Sequence, residues 1–270
     1  MPELPEVERA RRVLERAAVG KRLTSLRALH PSAARALPAC DADSVAGATL
    51  VRVERRGKHQ LLRLDDGRTL HAHFRMNGDW EVGRADEAAP AHARYLLDFA
   101  DGTRVALVDS RALASIRLHA AGHDPLPAMG PEATAPEFDG ASLHAALAGR
   151  RCAIKVALLD QRVVAGLGNI YVCEALWRAG IDPRKPGGKV TRPQLERLVP
   201  AIRAVLEQAI ADGGSTLRDF AQPDGELGYF ASRFDVYGRE GTGCRHEDGG
   251  KIRRIVQGGR STWFCPKCQR

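Results

Sequence analysis

Gln60-Leu61-Leu62-Arg63-Leu64-Asp65-Asp66-Gly67 reads as a short apolar strand closed by an acidic turn that ends in glycine. The same pattern recurs in Tyr95-Leu96-Leu97-Asp98-Phe99, followed by the turn pair Asp101-Gly102 and by Arg104-Val105-Ala106-Leu107-Val108. With Leu50-Val51-Arg52-Val53 ahead of them, these runs make residues 23–118 a β-rich region whose strands are joined by tight turns. Upstream, Val7, Ala10, Val13, Leu14 and Ala17 fall at helical spacing, with Arg9, Arg11, Arg12 and Arg16 between them. Pro5 suits the first helical turn and Gly20 the stop. The expected N-terminal domain, residues 1–124, is a helix ahead of a β-sandwich.

Asp124-Pro125-Leu126-Pro127 and the Ala-Pro stretch after it have the composition of an ordered linker, taken as residues 125–137. Helical patterns follow over Ser142 to Ala148, Ile154 to Leu159, Ile170 to Arg178 and Arg192 to Ala211. Thr191 and Gln194 form a capping box for the last of these, and Pro200 is expected to kink it. These helices make a second domain over 138–233. The remaining tail, 234–270, is Gly-rich and basic, with short strand-like runs and too little apolar surface to hold together without a staple. The fold class is therefore α+β.

At 270 residues and 44% hydrophobic, the chain can bury two modest cores. Lys and Arg outnumber Asp and Glu by 41 to 33, for a net charge of +8, which favours a polyanionic partner. The start of the chain lacks the basic-then-apolar pattern of a signal peptide, and no apolar run is long enough to span a bilayer. The expectation is a cytoplasmic protein without a membrane partner.

Six cysteines in such a chain point to metal rather than to disulfides. Cys40, Cys152 and Cys173 stand among apolar neighbours and are expected to be buried. Cys265-Pro266-Lys267-Cys268 is half of a four-ligand Zn2+ site, and Cys244 lies at zinc-ribbon distance ahead of it. The position three after Cys244 is Glu247, so His246 is taken as the fourth ligand, with Glu247 or Asp248 as oxygen alternatives. Between the half-sites, Arg253-Arg254-Ile255-Val256-Gln257-Gly258-Gly259-Arg260 describes a hairpin whose tip pushes Arg260 outward, where a phosphate can meet it. Asn169, just before the helix at Ile170, is placed to cap that helix and to offer its amide to a phosphate.

Taken together, Pro2-Glu3-Leu4-Pro5-Glu6-Val7-Glu8, Arg56-Gly57-Lys58, Gly166-Leu167-Gly168-Asn169-Ile170-Tyr171, Tyr237-Gly238-Arg239-Glu240-Gly241 and the tail from Gly258 to Gln269 resemble the formamidopyrimidine-DNA glycosylases. Endonuclease VIII is the sister branch of that family, and Leu4 is of the formamidopyrimidine type. The resemblance implies a β-sandwich, a helix-two-turns-helix domain and a zinc-ribbon hairpin. It also implies a monomeric, nucleoid-associated enzyme of base excision repair that acts on double-stranded DNA containing oxidised purines or abasic sites. Once Met1 is removed, Pro2 is a secondary amine that titrates nearer neutrality than lysine and can attack a sugar carbon. Glu3 beside it is the natural proton donor. In the family pattern Lys58 contacts the lesion nucleotide and Arg260 the flanking phosphates. His92, Arg111 and Arg151 lie along the DNA path, and Met76 fills the space left by the flipped nucleotide.

The chain departs from the family in Asp109-Ser110-Arg111-Ala112-Leu113-Ala114, where Leu113 replaces an aromatic wedge. Thr216 to Phe220 and Gly225 to Tyr229 resemble the loop that closes over an extruded purine. Two other readings remain open at this point: an endonuclease VIII-like preference for oxidised pyrimidines, and a non-catalytic module that binds damaged DNA.

Overall fold

The computed structural model describes residues 1–215 and 230–270, so the segments matched to the purine loop lie outside the described residues. The described residues form two compact units, 1–127 and 128–215 with 230–270.

The first unit opens with α1 (Leu4–Ala18), which begins in a capping box between Glu3 and Glu6 and carries proline in its first turn. Its apolar stripe of Val7, Ala10, Leu14 and Ala18 is buried. Then come β1 (Leu23–Ala28), α2 (Pro31–Ala36), α3 (Ala39–Ser44), β2 (Leu50–Arg56), β3 (His59–Leu64), β4 (Thr69–His73), β5 (Asp79–Arg84), β6 (Ala93–Phe99), β7 (Thr103–Val108) and β8 (Ser115–His119). They make two antiparallel four-stranded sheets, β1-β6-β7-β5 and β2-β3-β4-β8. Leu26, Trp80, Leu97 and Val105 from one sheet meet Val53, Leu62, Leu70 and Ile116 from the other in a common core that α1 closes. Inside it, Trp80 Nε1 donates to Gln60 Oε1 at 3.0 Å, so the buried amide is partnered. The sandwich matches the reading of the alternating runs. The two six-residue helices α2 and α3 do not, because neither is long enough to show an apolar period.

The second unit contains α4 (Gly140–Leu147), α5 (Ile154–Leu158), α6 (Asn169–Arg178), α7 (Arg192–Ala211), and the hairpin β9 (Arg253–Gln257) with β10 (Arg260–Phe264). α7 has the limits read from the sequence and starts in the Thr191–Gln194 box, but it runs through Pro200 as one element. The Gly258-Gly259 turn has φ of 54° and 72°, the left-handed pair that a two-residue hairpin of this twist requires. Cys173 is buried as expected, whereas Cys40 and Cys152 are exposed. Among the described residues no helix is long and apolar enough to cross a membrane.

Candidate functional site

In the first unit the chemistry gathers at the chain start. Pro2 and Glu3 are buried, and the Glu3 backbone N–H donates to the Glu6 carboxylate at 2.9 Å. Burial lowers the proton affinity of the Met1 terminal amine; Glu3 and Glu6 raise it, and Lys58 and Arg111 lower it. Glu3, Glu6, Lys58 and Arg111 therefore act on the same amine. Lys58 is itself buried, in the two-residue turn between β2 and β3, where Gly57 takes φ of 57°. A relay from α1 holds this turn. Glu8 accepts from Arg55 Nε at 3.0 Å, and Arg55 Nη1 donates to the Gly57 carbonyl at 3.0 Å.

Met76, His92, Arg111 and Leu113 belong to neighbouring loops of the same unit. The buried Asp109 carboxylate organises one of them, accepting from the backbone N–H groups of Arg111, Leu113 and Ala114 at 2.9, 2.6 and 2.7 Å. Asn77 Nδ2 donates to Ser110 Oγ, which ties the Met76 loop to it. The His92 carbonyl accepts from Asp109 N–H at 3.0 Å. Met76 and Leu113 stay 38% and 52% exposed.

In the second unit Asn169 corrects the sequence reading. It is the first residue of α6, whose N-cap is Gly168. Its Nδ2 donates instead to the Ser261 carbonyl at 3.0 Å, beside the exposed Arg260, so it fixes the hairpin tip to the helix start. Arg151 is exposed on an open groove it shares with Arg150 and Lys189. Glu174, which the sequence reading passed over, is fully buried and accepts from the N–H groups of Asp235, Val236 and Tyr237 at 2.8, 3.1 and 2.8 Å.

The metal set differs from the expected one in its fourth member. Cys244, Asp248, Cys265 and Cys268 present ligand atoms that all lie within 4.8 Å of one another. His246 is outside this group, with its ring stacked on Trp177. Glu247 explains the change: its left-handed φ of 53° turns the chain, so the side chain reaching the thiols is that of the next residue. The donor set fits zinc. Cys244 and Cys268 Sγ stand 3.8 Å apart, and a tetrahedral ion with Zn–S bonds of about 2.3 Å has edges of about 3.8 Å. Cys265 Sγ is 3.9 Å from Asp248 Oδ2, while Gly250 N–H holds the other carboxylate oxygen at 2.7 Å. A Cβ at Gly250 would come within 2.6 Å of Cys265 Sγ, so this close approach requires glycine. Burial and the neighbouring Cys265 and Cys244 push the Cys268 thiol up, a penalty that a bound cation removes.

Family models match most of the chain: the formamidopyrimidine-DNA glycosylase N-terminal domain over residues 1–116, the H2TH domain of the same proteins over 129–221, and a zinc finger found in FPG and IleRS over 249–270. The formamidopyrimidine-DNA glycosylase of Erythrobacter litoralis is 50% identical, with all of both chains covered. This chain belongs to the formamidopyrimidine-DNA glycosylase family. The glycosylase of Rhizorhabdus wittichii is 46% identical, again over all of both chains. Among solved glycosylases, the Lactococcus lactis protein in complex with DNA containing an abasic site matches with a TM-score of 0.90 at 33% identity and full coverage of both chains. The Thermus thermophilus enzyme matches at 0.88 and 36%, covering 99% of this chain and 98% of that one. Membership accounts for the order of elements: helix, sandwich, helix-two-turns-helix, zinc hairpin.

Proposed function

We propose that the protein is a bifunctional DNA glycosylase and abasic-site lyase of base excision repair, acting on oxidised purines such as 8-oxoguanine and formamidopyrimidines. The observation that carries this reading is the shared environment of the chain start, where Glu3, Lys58 and Arg111 all act on one amine whose proton affinity burial lowers. That amine belongs to Met1; once Met1 is removed, the terminal amine is the nitrogen of the adjacent Pro2, which is buried. Its lone pair attacks C1′ of the flipped nucleotide as the glycosidic bond breaks; the base departs with the bonding electrons and takes up the proton that the Pro2 nitrogen sheds. Glu3 supplies the proton that opens the sugar ring at O4′, leaving an iminium between Pro2 and C1′. The iminium withdraws electrons, so a base removes the C2′ proton and the C3′–O bond breaks. A second elimination releases the 5′ phosphate. Glycosylase and lyase are thus one mechanism.

Lys58 meets the lesion nucleotide. Met76 and Leu113 fill the space it leaves, Arg111 reads the unpaired base, and His92, Arg151, Asn169 and Arg260 hold the backbone. Cys244, Asp248, Cys265 and Cys268 would hold one Zn2+, which staples the Arg260 hairpin and takes no part in the chemistry. Solved relatives bound to DNA containing a lesion or an abasic site support the same substrate class for this chain, a monomer working in the cytoplasm on the nucleoid.

The test compares duplexes carrying 8-oxoguanine or thymine glycol. Faster cutting at 8-oxoguanine, with phosphates left on both ends of a one-nucleotide gap, supports the reading. Preference for thymine glycol would assign the chain to oxidised pyrimidines, and absence of cutting on both would leave only binding.

A further inference from the structure

Five of the nine histidines, His59, His71, His73, His119 and His123, form a continuous series of ring contacts in the first unit. His59 and His73 are register partners across β3 and β4, and His71 follows on the same face as His73. The alternate residues Leu62, Leu70 and Ala72 point into the sandwich core, so the histidines occupy the opposite face. The proposed excision chemistry uses none of them.

The closest pair is also the most informative. His59 Nδ1 and His71 Nε2 are 2.7 Å apart, and their rings stack with centroids 4.9 Å apart. One imidazole therefore donates its N–H to the lone pair of the other, which means a single proton is shared between two metal-binding nitrogens. The His73 ring stands edge-on to His59 at 4.6 Å. His119, 5.8 Å from His71, has a buried Nε2 without a hydrogen-bond partner among the described residues.

We propose that His59 and His71 form a second metal site, which takes one divalent transition-metal ion of the Zn2+ or Ni2+ class in place of the proton they share. Two nitrogens bound at about 2.0–2.1 Å to a tetrahedral ion stand about 3.3–3.4 Å apart, so the pair opens by well under 1 Å, within reach of ring rotation. The displaced proton moves to the far nitrogen of its own ring, and water completes the coordination. An imidazole with its ordinary value of about 6.5 is mostly neutral at pH 7 and above, so each ring has a lone pair to donate. The donors are nitrogen only, which selects an imidazole-seeking ion over Mg2+ or Ca2+.

The full-length, zinc-loaded protein is dialysed against Ni2+, and both metals are counted by mass spectrometry. One equivalent of nickel is taken up at micromolar Ni2+ while the zinc stays in place, and Mg2+ in excess does not displace it. His59→Gln and His71→Gln each raise the half-loading concentration at least tenfold, by loss of one of two donors, whereas His144→Gln changes nothing. As an arm independent of variant folding, paramagnetic Ni2+ should broaden the ring-proton signals of His59 and His71 in the unmodified chain before those of His30 and His144. Absence of nickel uptake at micromolar concentration, equal uptake by His71→Gln, or broadening centred on other histidines would each overturn the site.

Discussion

The His246 imidazole lies flat on the Trp177 indole, with ring centroids 4.1 Å apart and planes 14° from parallel. Trp177 Nε1 in turn donates to Cys244 Sγ at 3.4 Å. His246 thus packs against the helix that supports the metal cluster, and the carboxylate of Asp248 stands where a fourth ligand belongs.

Metal content separates the two residues. His246→Ala should retain about one zinc per chain, whereas Asp248→Ala should lose it or bind it far more weakly. Asp248→Cys should retain metal, and in cobalt-substituted protein its sulfur-to-metal charge-transfer band should grow by about one third, because four thiolates replace three. Zinc lost from His246→Ala but kept by Asp248→Ala would reverse the assignment.

The Lys58 turn hangs on Glu8 through Arg55. Burial works against the Glu8 charge, but Arg11, Arg55 and Arg12 outweigh it and hold the carboxyl below the usual range. Glu8→Gln should cost about 1–3 kcal/mol in denaturant unfolding, since partly buried guanidinium groups lose a charged acceptor. It should also slow strand nicking more than it weakens DNA binding. The Glu8 contribution to stability is present above the ordinary carboxylate range and is lost as pH falls through the lowered native value.

The histidine array gives a second pH window. His59 and His71 fall to about 4 and His73 to about 3, from an ordinary value of 6.5, with burial the first cause in each case. The unfolded chain binds protons that the native one refuses, so stability is full above about 6.5 and declines as pH drops toward 4. Thermal melts from pH 7 to pH 4 should show this decline, and His71→Phe should flatten it. A Tm independent of pH over that range would contradict the array's neutral state.

Asp109 holds the Leu113 loop by three backbone N–H groups, and Leu113 projects from it. Leu113→Phe should improve discrimination of lesion from undamaged duplex by about 2- to 10-fold, the equivalent of the roughly 0.5–1.5 kcal/mol an aromatic contact adds beyond its area. Asp109→Ala, which leaves the donors without their acceptor, should abolish the gain. Competition binding with lesion and undamaged duplexes measures both.

Much of this fold is legible in the sequence. The alternating runs around Gln60–Leu64 and Tyr95–Phe99 gave the sandwich, because burial on one face forces a period of two. Thr191 with Gln194 gave the start of α7, and Gly258-Gly259 gave the hairpin tip. Asp248 stands in the sequence only as an alternative to His246, since counting from Cys244 takes no account of the left-handed turn at Glu247. His71-Ala72-His73 shows its alternation in the sequence, but the contact with His59 depends on strand register. Asn169 lies one residue inside its helix, and its partner Ser261 is 92 positions away, so local capping rules favoured the wrong bond.

In the proposed reaction the Pro2 nitrogen forms the covalent intermediate. Borohydride added during reaction with an abasic duplex reduces any iminium to a stable amine, and peptide mass spectrometry then locates the adduct. With Met1 removed, trapped protein should carry the sugar remnant on Pro2, and none should form when an intact N-terminal tag turns that nitrogen into an amide. Full trapping and nicking by the tagged protein, or an adduct on Lys58 in place of Pro2, would contradict it.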